Sequence, residues 1–154
     1  AGMLSSATLI NRFFPPGQVY KDFYESSENL FDLLQFPDIW MLGYFKWELE
    51  FLETLGFGLD LEKCTVTGSR EDLKFISPKS GCAVSQAAAG DWSSKLLPYP
   101  VAASGQVNSL EDILDGLQVS QFFLERKVLT AFGMEQLPNA RSRFIYLLEK
   151  KIRN

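Results

Sequence analysis

Cys64 and Cys82 are the two thiols of this 154-residue sequence, and no histidine accompanies them. Imidazole-based triads, proton shuttles and histidine metal sites are therefore excluded. A zinc ribbon needs four thiolate or imidazole ligands in two close pairs, because two tight turns must close around one tetrahedral ion. These cysteines supply one ligand each, and neither has a neighbouring base to make it a nucleophile. They read as ordinary semi-buried thiols, with no metal and no cofactor. Glu48, Glu50 and Glu53 are close in sequence, but helical geometry spreads them around a cylinder instead of aiming them at one point. Gly56-Phe57-Gly58 lacks the Gly-Lys-Ser/Thr ending of a phosphate-cradling loop and reads as a helix stop. The residue types argue for a binding protein, not an enzyme.

The cations carry more information. The whole chain has a net charge of −4, yet residues 1–120 hold 8 basic and 16 acidic side chains. Residues 121–154 reverse this, with Arg126, Lys127, Arg141, Arg143, Lys150, Lys151 and Arg153 against Glu125, Glu135 and Glu149. An anionic partner, whether phosphate backbone or acidic peptide, would meet the C-terminal end. With Asn139 as N-cap of a last helix, Arg141 and Arg143 fall at its first turn, where the macrodipole already favours anions and each arginine costs about 0.3–1 kcal/mol. Such a local conflict marks an anion receptor, or arginines neutralised from another helix by Glu48, Glu50 or Glu53. Arg126 and Lys127 interrupt an apolar run that includes Phe122 and Phe123. They form either a basic rim beside exposed aromatic surface or cations snorkelling from a buried helix.

The elements that must position these residues form one domain, since 154 residues at 46% hydrophobic can bury a core without staples. To about Leu61 the sequence reads as helices. After Pro15-Pro16-Gly17, the residues Val19, Phe23, Leu30 and Leu33 fall near helical spacing. Pro37 ends that segment, and Asp38 caps a stronger helix in which Trp40, Tyr44, Trp47 and Phe51 form a core stripe widened by Met41, Phe45 and Leu52, stopped by Gly56. Residues 60–92 lose the helical period and read as a small hairpin-like insertion, followed by the extended connector Leu96-Leu97-Pro98-Tyr99-Pro100. Ser109 and Asp112 form a capping box for the next helix, whose stretch Gln118–Leu129 is its most buried part. A final helix carries Phe144, Ile145, Leu148 and Ile152 on one face. The fold class is mainly α, a helical bundle with a small β insertion. No apolar stretch is long enough to span a bilayer, no signal peptide is visible, and the expected location is cytoplasmic.

The run from Trp47 to Gly68, followed by Phe75-Ile76-Ser77-Pro78-Lys79-Ser80-Gly81, closely resembles the bacterial recombination-mediator family RecO. Phe122-Phe123-Leu124-Glu125-Arg126 and Leu137-Pro138-Asn139-Ala140-Arg141-Ser142-Arg143 extend the likeness. The resemblance covers essentially the whole chain, but only the part of the family that follows its N-terminal OB fold. It implies a helical domain with a zinc-ribbon-like insertion. Cys64 matches the first ligand position, while Thr67, Ser85 and Ala88 stand at the other three, so the ribbon shape is expected without its metal. It also implies a DNA repair and recombination role: loading recombinase onto coated single-stranded DNA, annealing strands, and acting with RecR. The acidic, phenylalanine-ending tail of single-stranded-DNA-binding protein would dock on the helical domain, with DNA held mainly by the OB fold. Arg126, Lys127, Arg141, Arg143, Phe122 and Phe123 are the expected contacts. The competing expectation is a structural scaffold whose DNA work lies in the absent domain.

Overall fold

The computed structural model of the chain describes residues 1–14 and 20–154. The Pro15-Pro16-Gly17 break and Val19 lie outside the described residues. Helix α1 (Gly2–Phe13), α2 (Lys21–Asp32) and α3 (Pro37–Thr54) precede a three-stranded unit of β1 (Leu73–Ile76), β2 (Ala83–Ser85), the one-turn α4 (Gln86–Ala89) and β3 (Leu97–Pro98). Helix α5 (Leu110–Phe123) then runs through a π turn at Leu124–Leu129 into α6 (Thr130–Phe132), and α7 (Asn139–Arg153) closes the bundle. Helix α3 is the hub: α2 and α5 pack on it, and α7 packs on both α1 and α5.

The stripe of α3 is buried as its spacing predicts. Trp40, Tyr44, Trp47 and Phe51 all lie in the core, with Phe45 and Leu52 beside them. Their rings stack successively at 5.5–5.7 Å, and Tyr44 meets Phe144 of α7 edge-on at 4.6 Å. Both tryptophans satisfy their indole N–H groups: Trp40 donates to the Leu30 carbonyl at 3.0 Å and Trp47 to the Ser27 hydroxyl at 2.9 Å. The N-cap of α3 lies two residues before the expected one. Phe36 occupies the cap position, Pro37 is the first helical residue and Asp38 lies in the first turn. Proline suits that place because its missing N–H would have been unpaired there anyway.

The α5 cap is the predicted one, with the Asp112 carboxylate accepting from the backbone N–H groups of Asn108 (2.8 Å) and Ser109 (3.2 Å). The insertion folds as an antiparallel sheet in the order β2-β1-β3. Its hairpin is the expected one, but the third strand comes from the connector: Ile76 pairs with Leu97, so the unit extends past residue 92.

Helices α3 and α5 approach closely at Gly116, where a Cβ would lie 2.8 Å from Phe45 Cζ. The Phe45 ring is fully buried and has nowhere to retreat. Gly116→Val is expected to destabilise the fold by about 1–3 kcal/mol through overpacking, read as a lowered midpoint in urea denaturation with unchanged slope.

Candidate partner-docking site

Helix α7 begins at Asn139, with Pro138 in the cap position and no acidic residue in its first turn. Arg141 is thus its third residue, and a long helical side chain there leans back toward the N-terminus. Arg141 also shares the buried face of Phe144, Ile145 and Leu148, which carries the guanidinium inward, where the residue is only 1% exposed. Its Nε donates to Glu48 Oε2 at 3.0 Å and Nη2 to Glu48 Oε1 at 2.6 Å, a two-pronged pair. Nη1 donates to Gln121 Oε1 at 2.9 Å, and Nη2 also reaches the Leu117 carbonyl at 3.1 Å. The Ser120 hydroxyl completes the cluster by donating to Glu48 Oε1 at 2.5 Å. Burial works against the Arg141 charge, but Glu48 outweighs it and holds its pKa above the ordinary arginine value. Burial, followed by the Glu48 charge, raises the nearby Tyr44 phenol well above its usual range, and its hydroxyl pairs with Ser5 at 2.7 Å.

Arg141 as a partner contact is therefore corrected: its counter-charge comes from α3, and it faces no solvent. The mouth of α7 is corrected as well. The cleft there, about 450 Å³, is lined by Glu125 and Glu135 beside Gln121, Gln136, Asn139 and Ser142. Two carboxylates make it a poor receptor for anions.

The remaining expected contacts separate into three places. Phe123 and Lys127 share a cleft of about 240 Å³ with Phe57, Leu59, Lys79 and Gly81. Three pieces of chain meet there: the stop after α3, the turn between β1 and β2, and the π turn. Gly56 stops α3 at φ +95°, and Gly81 closes the β1–β2 turn at φ +73°, where a Cβ would meet Leu59 Cδ2 at 2.9 Å. Phe123 is buried, while Lys127 is half-buried and donates from Nζ to the Lys79 carbonyl at 3.1 Å. Lys79 itself is exposed. Beside this cleft, exposed Arg126 lies 5.6 Å over the ring of half-buried Phe122, whose edge meets Phe123 at 5.3 Å. Arg143 stands exposed on α7 and lines no part of the cleft. Lys79, Phe57 and Leu59 were not singled out from the sequence. The turn residues Ser77-Pro78 and Gly81 mark the loop that carries Lys79, but not what that loop meets.

In the insertion, Cys64 is buried and its Sγ accepts from the Ser85 backbone N–H at 3.3 Å. The Ser85 hydroxyl in turn accepts from the Ala88 N–H at 3.3 Å. Burial pushes the Cys64 thiol up, but hydrogen bonds from Thr67 and Ser85 outweigh it and bring its pKa down to about 6. One thiol, two hydroxyls and a methyl do not fit a zinc ion. Among the described residues no three His, Cys, Asp or Glu side chains are grouped to hold a metal. No described helix is long and apolar enough to cross a membrane.

A helical bundle with a small three-stranded insertion lacking the ligands for zinc is the class that fold and site define. The family model described as Recombination protein O C terminal matches residues 1–133. DNA repair protein RecO of Ruegeria sp. (strain TM1040) is 43% identical over 154 residues, covering 99% of this chain and 64% of that protein. The RecO proteins of Cereibacter sphaeroides (strain ATCC 17029 / ATH 2.4.9) and Dinoroseobacter shibae (strain DSM 16493 / NCIMB 14021 / DFL 12) are 40% and 41% identical, over 97% and 96% of the chain and 63% and 61% of their own lengths. The chain thus spans under two thirds of these relatives. No solved structure matches it significantly. The chain belongs to the RecO family.

Arg141→Ala strands Glu48 in the core and is expected to lower unfolding free energy by about 3–5 kcal/mol in urea denaturation. Glu48→Leu with Arg141→Met should recover most of that loss, because no charge is left unpaired. For Cys64, a difference titration of thiolate ultraviolet absorbance against Cys64→Ser should show a midpoint near 6. Because the folded value is depressed, the stabilisation from this thiolate is complete above its ordinary value of 9.0 and is lost as pH falls through about 6.

Proposed function

We propose that this chain acts in DNA recombination and repair as a non-enzymatic adaptor, its helical domain docking the acidic, phenylalanine-ending tail of single-stranded-DNA-binding protein. One observation carries the reading: the cleft sets Phe57, Leu59 and Phe123 beside two cations, Lys79 and Lys127. An aromatic side chain needs apolar walls, and the terminal carboxylate and preceding aspartates need cations at the rim. The stacked pair Arg126–Phe122 extends the same chemistry along the helix, with the guanidinium spread over a ring face. Family membership supports the wider role, since the relatives are named DNA repair proteins. On this reading the whole protein helps load recombinase on single-stranded DNA, anneals strands and works with RecR in the cytoplasm at the nucleoid. An OB fold, rather than this helical domain, holds most of the DNA.

Calorimetric titration with a peptide ending in Asp-Asp-Ile-Pro-Phe tests the docking. Binding is expected to weaken with added salt, and Lys127→Ala or Lys79→Ala should each weaken it roughly tenfold, the scale of one hydrogen bond to a charged group. Removing the terminal phenylalanine should abolish it. No heat of association up to about 1 mM peptide would leave the chain a structural scaffold.

A further inference from the structure

Helix α7 divides by chemistry into two sides. Arg141, Phe144, Ile145 and Leu148 turn into the core. Arg143, Tyr146, Lys150 and Arg153 are exposed on the opposite side. At 3.6 residues per turn these four fall within a strip roughly 80° wide, and their Cα atoms span about 15 Å along the axis. The strip carries three cations and no carboxylate: Glu149, the one acid of the helix, lies off its edge and is half-buried.

Among the described residues, none of these three cations lies within ion-pair distance of a carboxylate: the ion pairs are Arg70–Glu62, Lys74–Asp72 and Arg141–Glu48. In a chain of net charge −4, a single-sign strip runs against the average charge of the molecule. Its aromatic member is open, with Tyr146 59% exposed between the cations. A tyrosine held at the surface with cations one turn to either side presents a π face and charges in one line. That combination suits a strand with repeating phosphates and flat bases, since stacking is indifferent to base identity and the cations follow the backbone. An acidic polypeptide would satisfy the charges but has no regular use for the ring. The family model ends at residue 133, before α7, although the Ruegeria relative aligns through that helix.

We propose that the outer strip of α7 is a contact for single-stranded nucleic acid, with Arg143, Lys150 and Arg153 on phosphates and Tyr146 stacked on a base. The strip is distinct from the tail-docking cleft and does not depend on it. Fluorescence anisotropy of a labelled thirty-nucleotide oligothymidylate, titrated with this chain at several salt concentrations, tests the assignment. Three phosphate contacts give a log–log salt slope of about −2. The triple variant Arg143→Ala/Lys150→Ala/Arg153→Ala should lose that slope and most of the binding. Tyr146→Ala should weaken it roughly five- to hundredfold, with Tyr146→Phe restoring it.

Removing as many exposed cations elsewhere, as Lys21→Ala/Lys46→Ala/Lys63→Ala, should change affinity less than twofold. All these positions are at the surface, and thermal melting of each variant confirms that the fold persists. Wild-type affinity in the triple variant overturns the proposal, as does no salt-dependent binding up to about 1 mM chain. Loss of polyglutamate binding in the triple variant with oligothymidylate binding intact would reassign the strip to an acidic polypeptide and equally overturn it. Tail-peptide titration of the same variants reads the cleft separately, so either proposal can fail alone.

Discussion

Glu48 lies on the most apolar face of the molecule, one residue from Trp47 and one turn from Tyr44 and Phe51, with no exposure to water. An unpaired carboxylate there would be expelled or would neutralise itself. It stays because Arg141 arrives from α7 with two parallel donors, and α5 supplies Ser120 to the carboxylate and Gln121 and the Leu117 carbonyl to the guanidinium. Such a pair adds little net stability compared with apolar groups of the same size. What it imposes is register. If α7 slides by one residue or α5 rotates by a third of a turn, several buried polar groups lose partners together. The aromatic contacts of α3 with α7 depend on the same alignment, since Tyr44 and Phe144 meet in the layer beside the ion pair.

That alignment also shapes the surface. Helix α5 must present Leu117 and Ser120 to the ion pair and, farther along, Val128 and Leu129 to the core. A strict 3.6-residue period cannot do both while leaving Arg126 and Lys127 free, and the π turn at Leu124–Leu129 takes up the difference. Arg126 thereby comes over the Phe122 ring, and Lys127 reaches the Lys79 carbonyl. The cleft and the buried pair are two consequences of one helix trajectory.

How much of this was readable from sequence follows the range of the interaction responsible. The stripe of α3, the Ser109–Asp112 cap, the β hairpin and the stop at Gly56 depend on neighbours within a few residues, and each is where its pattern places it. The cap of α7 is Pro138, one residue before the expected Asn139, so Arg141 is the third helical residue, on the buried face. The conflict of two arginines at a helix start was real. Of the two readings it allowed, neutralisation by Glu48 holds for Arg141, across 93 residues of sequence. Nothing local could choose between them, because the answer lies in how α3 and α7 cross. Lys79 escaped for the same reason: its turn is legible, but its approach to α5 is a tertiary fact. The family likeness was legible from runs of identity that no periodicity argument uses.

The insertion shows how a ribbon can persist without the ion that would tie its two turns together. Cys64, Val84 and Ala89 form a core of three buried residues, too small to stabilise a separate unit. Its security comes from the bundle. Ile76 and Leu97 belong to the main core, the Tyr99 hydroxyl donates to the Leu61 carbonyl at 2.9 Å, and Asp60 bridges to Cys82 beside the β1–β2 turn. Hydrogen bonds to the Cys64 sulfur replace directed metal bonds at one turn, while β3 closes the open edge of β1. These anchors sit at the end of the ribbon that carries Lys79 and Gly81, the residues facing Phe123 and Lys127. The part of the ribbon that completes the cleft is thus the part tied to the bundle, while the far turn around Val66–Arg70 is exposed.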